Sequence, residues 1–110
     1  MPGAGALAAY ITAVTGRPPD AVCGKPSELM CDLVRAAGVE PRTSVCIGDR
    51  LDTDAALGAA LGCGATVLAL TGVTSHAEAM RAPGVCVVDS LAALVLGDDE
   101  ASRVARAATL

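Results

Sequence analysis

Neither Phe nor Trp occurs in the 110 residues, and there is a single Tyr. An apolar core must therefore be assembled from Ala, Val and Leu, whose small side chains each remove little surface from water, at about 25 cal/mol per Å². Stability without a covering partner is expected to be marginal. Basic residues are also scarce: eight Lys and Arg against twelve Asp and Glu leave a net charge of −4. The eight are dispersed, so no basic stripe exists to meet phosphates, and nucleic acid is not expected as a partner. The five cysteines form no Cys-x-x-Cys pair and no His/Cys spacing suited to zinc. They read as reduced core thiols, Cys46 and Cys86 inside apolar strands and Cys23 after an Ala-Val pair, which predicts a cytoplasmic chain. The apolar start, Met1 to Val14, lacks the positive region of a secretory signal and is too short to span a bilayer, so no membrane association is expected. The length allows one small domain.

What is present centres on Ser44-Val45-Cys46-Ile47-Gly48-Asp49-Arg50-Leu51-Asp52-Thr53-Asp54. Val45 to Ile47 predict a short buried strand, and Gly48 ends it where a backbone must come close to something. Asp49 then stands at the strand's carboxyl end, where open parallel α/β sheets bind ligands, and a carboxylate there suits a hard cation. Asp52, Thr53 and Asp54 supply N-cap chemistry for a helix from Ala55 to Leu61, stopped by Gly62. Arg50 reads as solvent-facing.

Along the chain, Leu7, Ile11 and Val14 fall at helical spacing in an amphipathic helix from Ala4 to Val14 that closes at Gly16. Arg17-Pro18-Pro19-Asp20 is a turn, and Ala21 to Cys23 at best a very short strand. Gly24-Lys25-Pro26-Ser27 opens a second helix, whose predicted buried face is Leu29, Met30, Leu33, Val34 and Ala37 before Gly38 stops it. Lys25 is thereby held near a helix N-terminus, where unpaired N–H groups already favour anions. Thr66 to Leu70 predicts a second strand broken at Thr71-Gly72. Ser75 caps a helix through Arg81, Val85 to Val88 forms a third strand, and Ser90 caps Leu91 to Leu96. Alternating strands and helices call for a parallel Rossmann-like α/β sheet with helices on both faces. Residues 98–110 read as a polar or Ala-rich tail.

Two nucleotide-binding motifs fail on inspection. Gly62-Cys63-Gly64 follows a helix and precedes a strand, the reverse of the dinucleotide fingerprint. Gly24-Lys25 is followed by Pro26 where a P-loop needs Ser or Thr.

Four features occur in order: Gly24-Lys25-Pro26-Ser27, a helix, a strand ending in Gly48-Asp49-Arg50-Leu51-Asp52-Thr53-Asp54, and a strand ending in Leu70-Thr71-Gly72-Val73. This combination resembles the haloacid dehalogenase (HAD) superfamily, and within it the p-nitrophenyl phosphatase and phosphoglycolate phosphatase group, whose large cap is inserted before the lysine motif. The resemblance implies a Mg²⁺-dependent phosphoric monoester hydrolase acting on a small phosphorylated metabolite. By the same resemblance Lys25 would neutralise the substrate phosphate and the nucleophile, and Asp49 would coordinate Mg²⁺. Asp54, with Thr53 beside it, would orient either the metal's surroundings or the lysine; plain helix capping is the competing role for both. Residues 1–20 would be the last cap helix and its linker, and residues 21–97 the C-terminal half of the core domain.

The family's nucleophile lies in an Asp-x-Asp-Gly motif after an apolar strand, and no such motif is found here. Asp52-Thr53-Asp54 leads into a helix and does not match it; Tyr10 and His76 read as structural. The expectation is therefore a fragment that is inactive alone and that self-associates or requires an N-terminal partner segment. The competing reading is a non-catalytic product that keeps an acidic metal site as an interaction module.

Overall fold

The computed structural model describes residues 3–96 together with Arg103 and Ala107. The expected tail, residues 98–110, otherwise lies outside the described residues. Within residues 3–96 the elements run α1 (Ala4–Thr15), α2 (Glu28–Ala36), β1 (Val45–Gly48), α3 (Ala56–Leu61), β2 (Ala65–Ala69), α4 (His76–Ala79), β3 (Cys86–Val88) and α5 (Leu91–Leu96), strands and helices alternating from β1 on. A 3-10 turn at Pro41–Thr43 leads into β1, and a π-helical turn at Leu51–Ala55 joins β1 to α3.

The strands form one parallel sheet in the order β1-β2-β3. Val45 pairs with Ala65 and Gly48 with Leu68; Val67 pairs with Cys86 and Ala69 with Val88. The central strand reads as a continuous apolar run because both of its faces are covered, as parallel strands require. Val67, Ala69 and Val88 meet Leu94 of α5 on one face. On the other, Gly58 of α3 lies against Thr66 and Cys46. Val67 and Leu68 are fully buried, each worth about 1.5–3 kcal/mol relative to exposure. The predicted α/β architecture, with a parallel sheet and helices on both faces, is what forms.

The punctuation of the chain follows local chemistry. Ser27 caps α2 through a hydrogen bond from the Met30 amide. Ser75 caps α4 in a reciprocal box with Glu78, and Ser90 accepts from the Ala93 amide at the start of α5. Gly16, Gly38 and Gly62 follow their helices at positive φ.

Other expectations give way to tertiary packing. Leu29 and Leu33 are 46% and 57% exposed, and α2 instead buries Cys31 against the body of the domain. Ala37 is also exposed, while Met30 and Val34 are half-buried. Residues 21–23 form no strand, and Cys23 is exposed rather than a core thiol. Ile47 is 45% exposed, because β1 has no partner on its outer side among the described residues. α1 has the predicted extent, but none of its residues is buried, and Leu7, Tyr10, Ile11 and Val14 all face solvent. Asp52, Thr53 and Asp54 do not cap a helix from Ala55: the chain takes a π-helical turn first, and no side chain caps α3. Among the described residues no helix is long and apolar enough to cross a membrane.

Candidate functional site

The carboxyl ends of β1 and β2 hold the charged groups that the sequence singles out. Asp54 is the hub. Its side chain is only 8% exposed, and each of its oxygens has donors: Lys25 Nζ gives a hydrogen bond and ion pair to Oδ1 at 2.6 Å, and the Asp49 and Arg50 amides donate to Oδ2 at 3.1 Å each. The π-helical turn makes this geometry. The Asp54 and Ala55 amides both donate to the Arg50 carbonyl, at 3.0 and 3.1 Å, and the widened turn folds the Asp54 side chain back over the strand end. Gly48 is required beneath it, because a Cβ there would overlap the Asp54 side chain. Below the carboxylate, the Cys46 thiol donates to the Asp54 carbonyl at 3.3 Å. Burial, foremost, pushes that thiol's pKa up, which disfavours the thiolate.

Electrostatics sharpen the pair. Burial pushes the Asp54 carboxyl up, but the Lys25 hydrogen bond and the two amides outweigh it and hold the group below its ordinary value. The hydrogen bond to Asp54, and then that carboxylate's charge, raise the Lys25 ammonium above its ordinary value. Lys25 is the one lysine in the sequence. Its side chain is 48% exposed, so an ammonium with three donors keeps a face for a second anion.

Asp49 is half-buried beside this pair. Its Oδ2 accepts from the Val73 amide at 3.0 Å, and its carbonyl from the Thr74 amide at 3.1 Å. Its Oδ1 accepts no hydrogen bond among the described residues and is the one carboxylate oxygen of the pair Asp49 and Asp54 left open to a ligand. A cleft of about 260 Å³ is lined by Arg50, Leu51, Asp52, Val73, Thr74 and Glu78, which include the chain neighbour of Asp49 and the two residues whose amides it accepts. At its rim Arg50 grips Asp52 through two hydrogen bonds of 2.9 and 2.6 Å, and both residues are exposed.

Among the described residues no three His, Cys, Asp or Glu converge as a closed metal cage. The donor set fits an open site instead: one carboxylate oxygen with room for waters, which is how a Mg²⁺-sized cation is commonly held. Asp54 already accepts three hydrogen bonds, one at Oδ1 and two at Oδ2, which leaves it less free than Asp49 for a metal.

The structure thus brings Lys25, Asp49 and Asp54 together. Thr53 is half-buried in the π-helical turn, and its hydroxyl makes no hydrogen bond among the described residues. His76 lies in the first turn of α4 and Tyr10 is exposed on α1, both apart from the cluster. Sequence reasoning missed the backbone donors, namely the amides of Asp49, Arg50, Val73 and Thr74. It marked Gly72 as a strand break and as part of the Leu70-Thr71-Gly72-Val73 feature but missed its approach to Asp49, which a Cβ there would overlap. The available signal was a glycine at the end of β1, Gly48, and another three residues past the end of β2, Gly72.

Residues 22–94 match the family model described as HAD-hydrolase-like. The chain is 46% identical over 78 residues to phosphoglycolate phosphatase 2 of Arabidopsis thaliana, a match covering 70% of this chain and 25% of that protein. It is 39% identical over 84 residues to dihydroxyacetone phosphatase of Corynebacterium glutamicum (strain R), covering 76% of this chain and 30% of that one. Among solved structures, 4-nitrophenylphosphatase from Thermotoga maritima superposes with a TM-score of 0.69 at 36% identity, over 90% of this chain and 39% of that chain. The chain spans well under half the length of each of these relatives.

Proposed function

The chain belongs to the HAD-hydrolase-like family, and on that premise we propose that it is the phosphate-binding and cation-binding half of a Mg²⁺-dependent phosphoric monoester phosphatase. Its substrate class is a small phosphorylated metabolite, by analogy with the relatives' names. The observation that carries the proposal is the Lys25–Asp54 pair at 2.6 Å, set beside Asp49 at the strand ends. In this reading Asp54 is a positioning residue for the lysine rather than a metal ligand. It fixes one of the three ammonium protons, and the other two are turned to phosphate oxygens. Asp49 holds Mg²⁺ through Oδ1, and the cation supplies charge neutralisation to the transferring phosphoryl group. Thr53 acts through the turn that carries Asp54.

The attacking carboxylate is the part these residues do not provide, since the sequence holds no Asp-x-Asp-Gly. We assign it to a further segment that pairs along the outer edge of β1. Residues 1–20 then carry the end of a cap and its linker, and residues 21–97 the second half of the core. A reducing, cytoplasmic setting is part of the proposal, in keeping with five free cysteines.

The test is hydrolysis of p-nitrophenyl phosphate by the purified chain, alone and mixed with an Asp-x-Asp-Gly strand segment from a relative. The chain alone should be silent, because losing a covalent nucleophile costs roughly 10⁶-fold in rate. The mixture should turn over, and Lys25→Met, Asp49→Asn or a chelator should each abolish it. Turnover by the chain alone that is lost in Asp49→Asn would overturn the half-site reading. A chain that binds Mg²⁺ but is never complemented would favour the interaction module.

A further inference from the structure

The loop after β2 is exposed: Thr71, Gly72 and Val73 all face solvent, and the Val73 side chain is 67% exposed. Apolar packing therefore does not hold it in place. What holds it is Asp49, whose Oδ2 takes the Val73 amide at 3.0 Å and whose carbonyl takes the Thr74 amide at 3.1 Å. The approach is so close that a Cβ on Gly72 would overlap three Asp49 atoms, Cβ and Cγ as well as Oδ2. Turning the Asp49 side chain about χ1 cannot relieve this, because its Cβ stays fixed to the backbone. Either the strand end or the loop must move, and both hydrogen bonds go with it.

We propose that Gly72 is a positioning residue for Asp49, pressing the 72–74 backbone onto the carboxylate so that Oδ2 is spent on an amide and Oδ1 is left, in one orientation, for a divalent cation. This rests on the reading of Asp49 as the carboxylate that holds Mg²⁺. The loop thereby acts as the outer support of the ligand, and such supports commonly matter about 10–100-fold in metal affinity.

Mg²⁺ titration of the full chain, followed by amide NMR shifts and paired with thermal melts, tests it. In the wild type the Val73 and Thr74 amides should move with the same midpoint as Gly48, Asp49 and Arg50. Gly72→Ala should weaken Mg²⁺ at least about tenfold. The control is Gly58→Ala, where a Cβ would meet Thr66 Oγ1 and Cys46 Cβ on the covered face of the sheet. It should lower the melting temperature and keep the wild-type affinity, which separates positioning from plain destabilisation. Wild-type affinity in Gly72→Ala, or Val73 and Thr74 amides that stay still while Gly48 to Arg50 titrate, overturns the proposal. If Gly72→Ala does not fold, the wild-type shifts alone decide. Unchanged binding in Asp49→Asn, or no response in the wild type, overturns the metal reading as well and is distinguishable from the first two results.

Discussion

Asp54 is the hub of the charged cluster at the strand ends. Its carboxylate is buried, accepts from two amides and a lysine, and is held below its ordinary pKa. Asp54→Ala leaves those donors unpaired, at about 1–3 kcal/mol for a buried group. For a domain of this size each kcal/mol is roughly 4–8 °C in melting temperature. The pH dependence has a definite sign. Because the folded pKa of Asp54 is depressed, its contribution is present above the unfolded carboxyl value of about 3.9 and is lost as pH falls through the folded value. Lys25 is raised, so its contribution is present below about 10.4 and is lost as pH rises through the folded value. Melting temperatures of wild type and Asp54→Ala should therefore differ most near neutral pH and converge at both extremes. A gap that stayed constant from pH 2 to pH 7 would show that the carboxylate is not ionised in its network. The sequence placed Asp54 beside the lysine as one of several options. It could not choose among them, because Lys25 becomes a neighbour only when the chain folds back across 29 residues, and the Asp49 and Arg50 amides reach the carboxylate only through the π-helical turn.

At the scale of elements, what was legible is what short-range chemistry decides. Ser27, Ser75 and Ser90 each cap the helix they were expected to cap, and the three strands lie within a residue or so of their predicted places. What failed depended on which surfaces meet. The apolar stripe of α2 offered Leu29 and Leu33 as its inner face, yet Cys31 is the residue that is buried. The run Asp52-Thr53-Asp54 looked like a cap, because the pattern cannot register that the turn takes i→i+5 spacing to swing Asp54 over Gly48. α3 gives a sharper case. Helix propensity alone makes Gly58→Ala stabilising by nearly 1 kcal/mol. The close approach to β1 and β2 reverses this, since the new methyl would sit 2.9 Å from Cys46 Cβ and closer still to Thr66 Oγ1. Overpacking of this kind costs about 1–3 kcal/mol. Denaturant titration should give a lower midpoint for the variant; a higher one would mean that α3 rides farther from the sheet than described.

For the whole molecule the radius of gyration is 15.9 Å, above the value of about 13 Å usual for a compact domain of 100 residues. α1 has no buried residue, and the outer side of β1 is unpaired among the described residues. Val45 to Ile47 carry no charge and no proline along that side, and such edges pair with whatever strand arrives. The isolated chain should thus show concentration-dependent light scattering. The double variant Leu7→Glu, Ile11→Lys should reduce it while leaving the melting temperature nearly unchanged, since surface changes away from packed features stay within about ±0.5 kcal/mol. A monomer at all concentrations would leave α1 and β1 without the role given them. The Asp49 and Arg50 amides add a consequence of another kind. They donate to a side chain and not to a neighbouring strand, so their exchange with solvent deuterium is slow only while Asp54 is ionised and seated. Two backbone positions therefore serve as a built-in gauge, reporting whether the site is assembled before any substrate or cation is added.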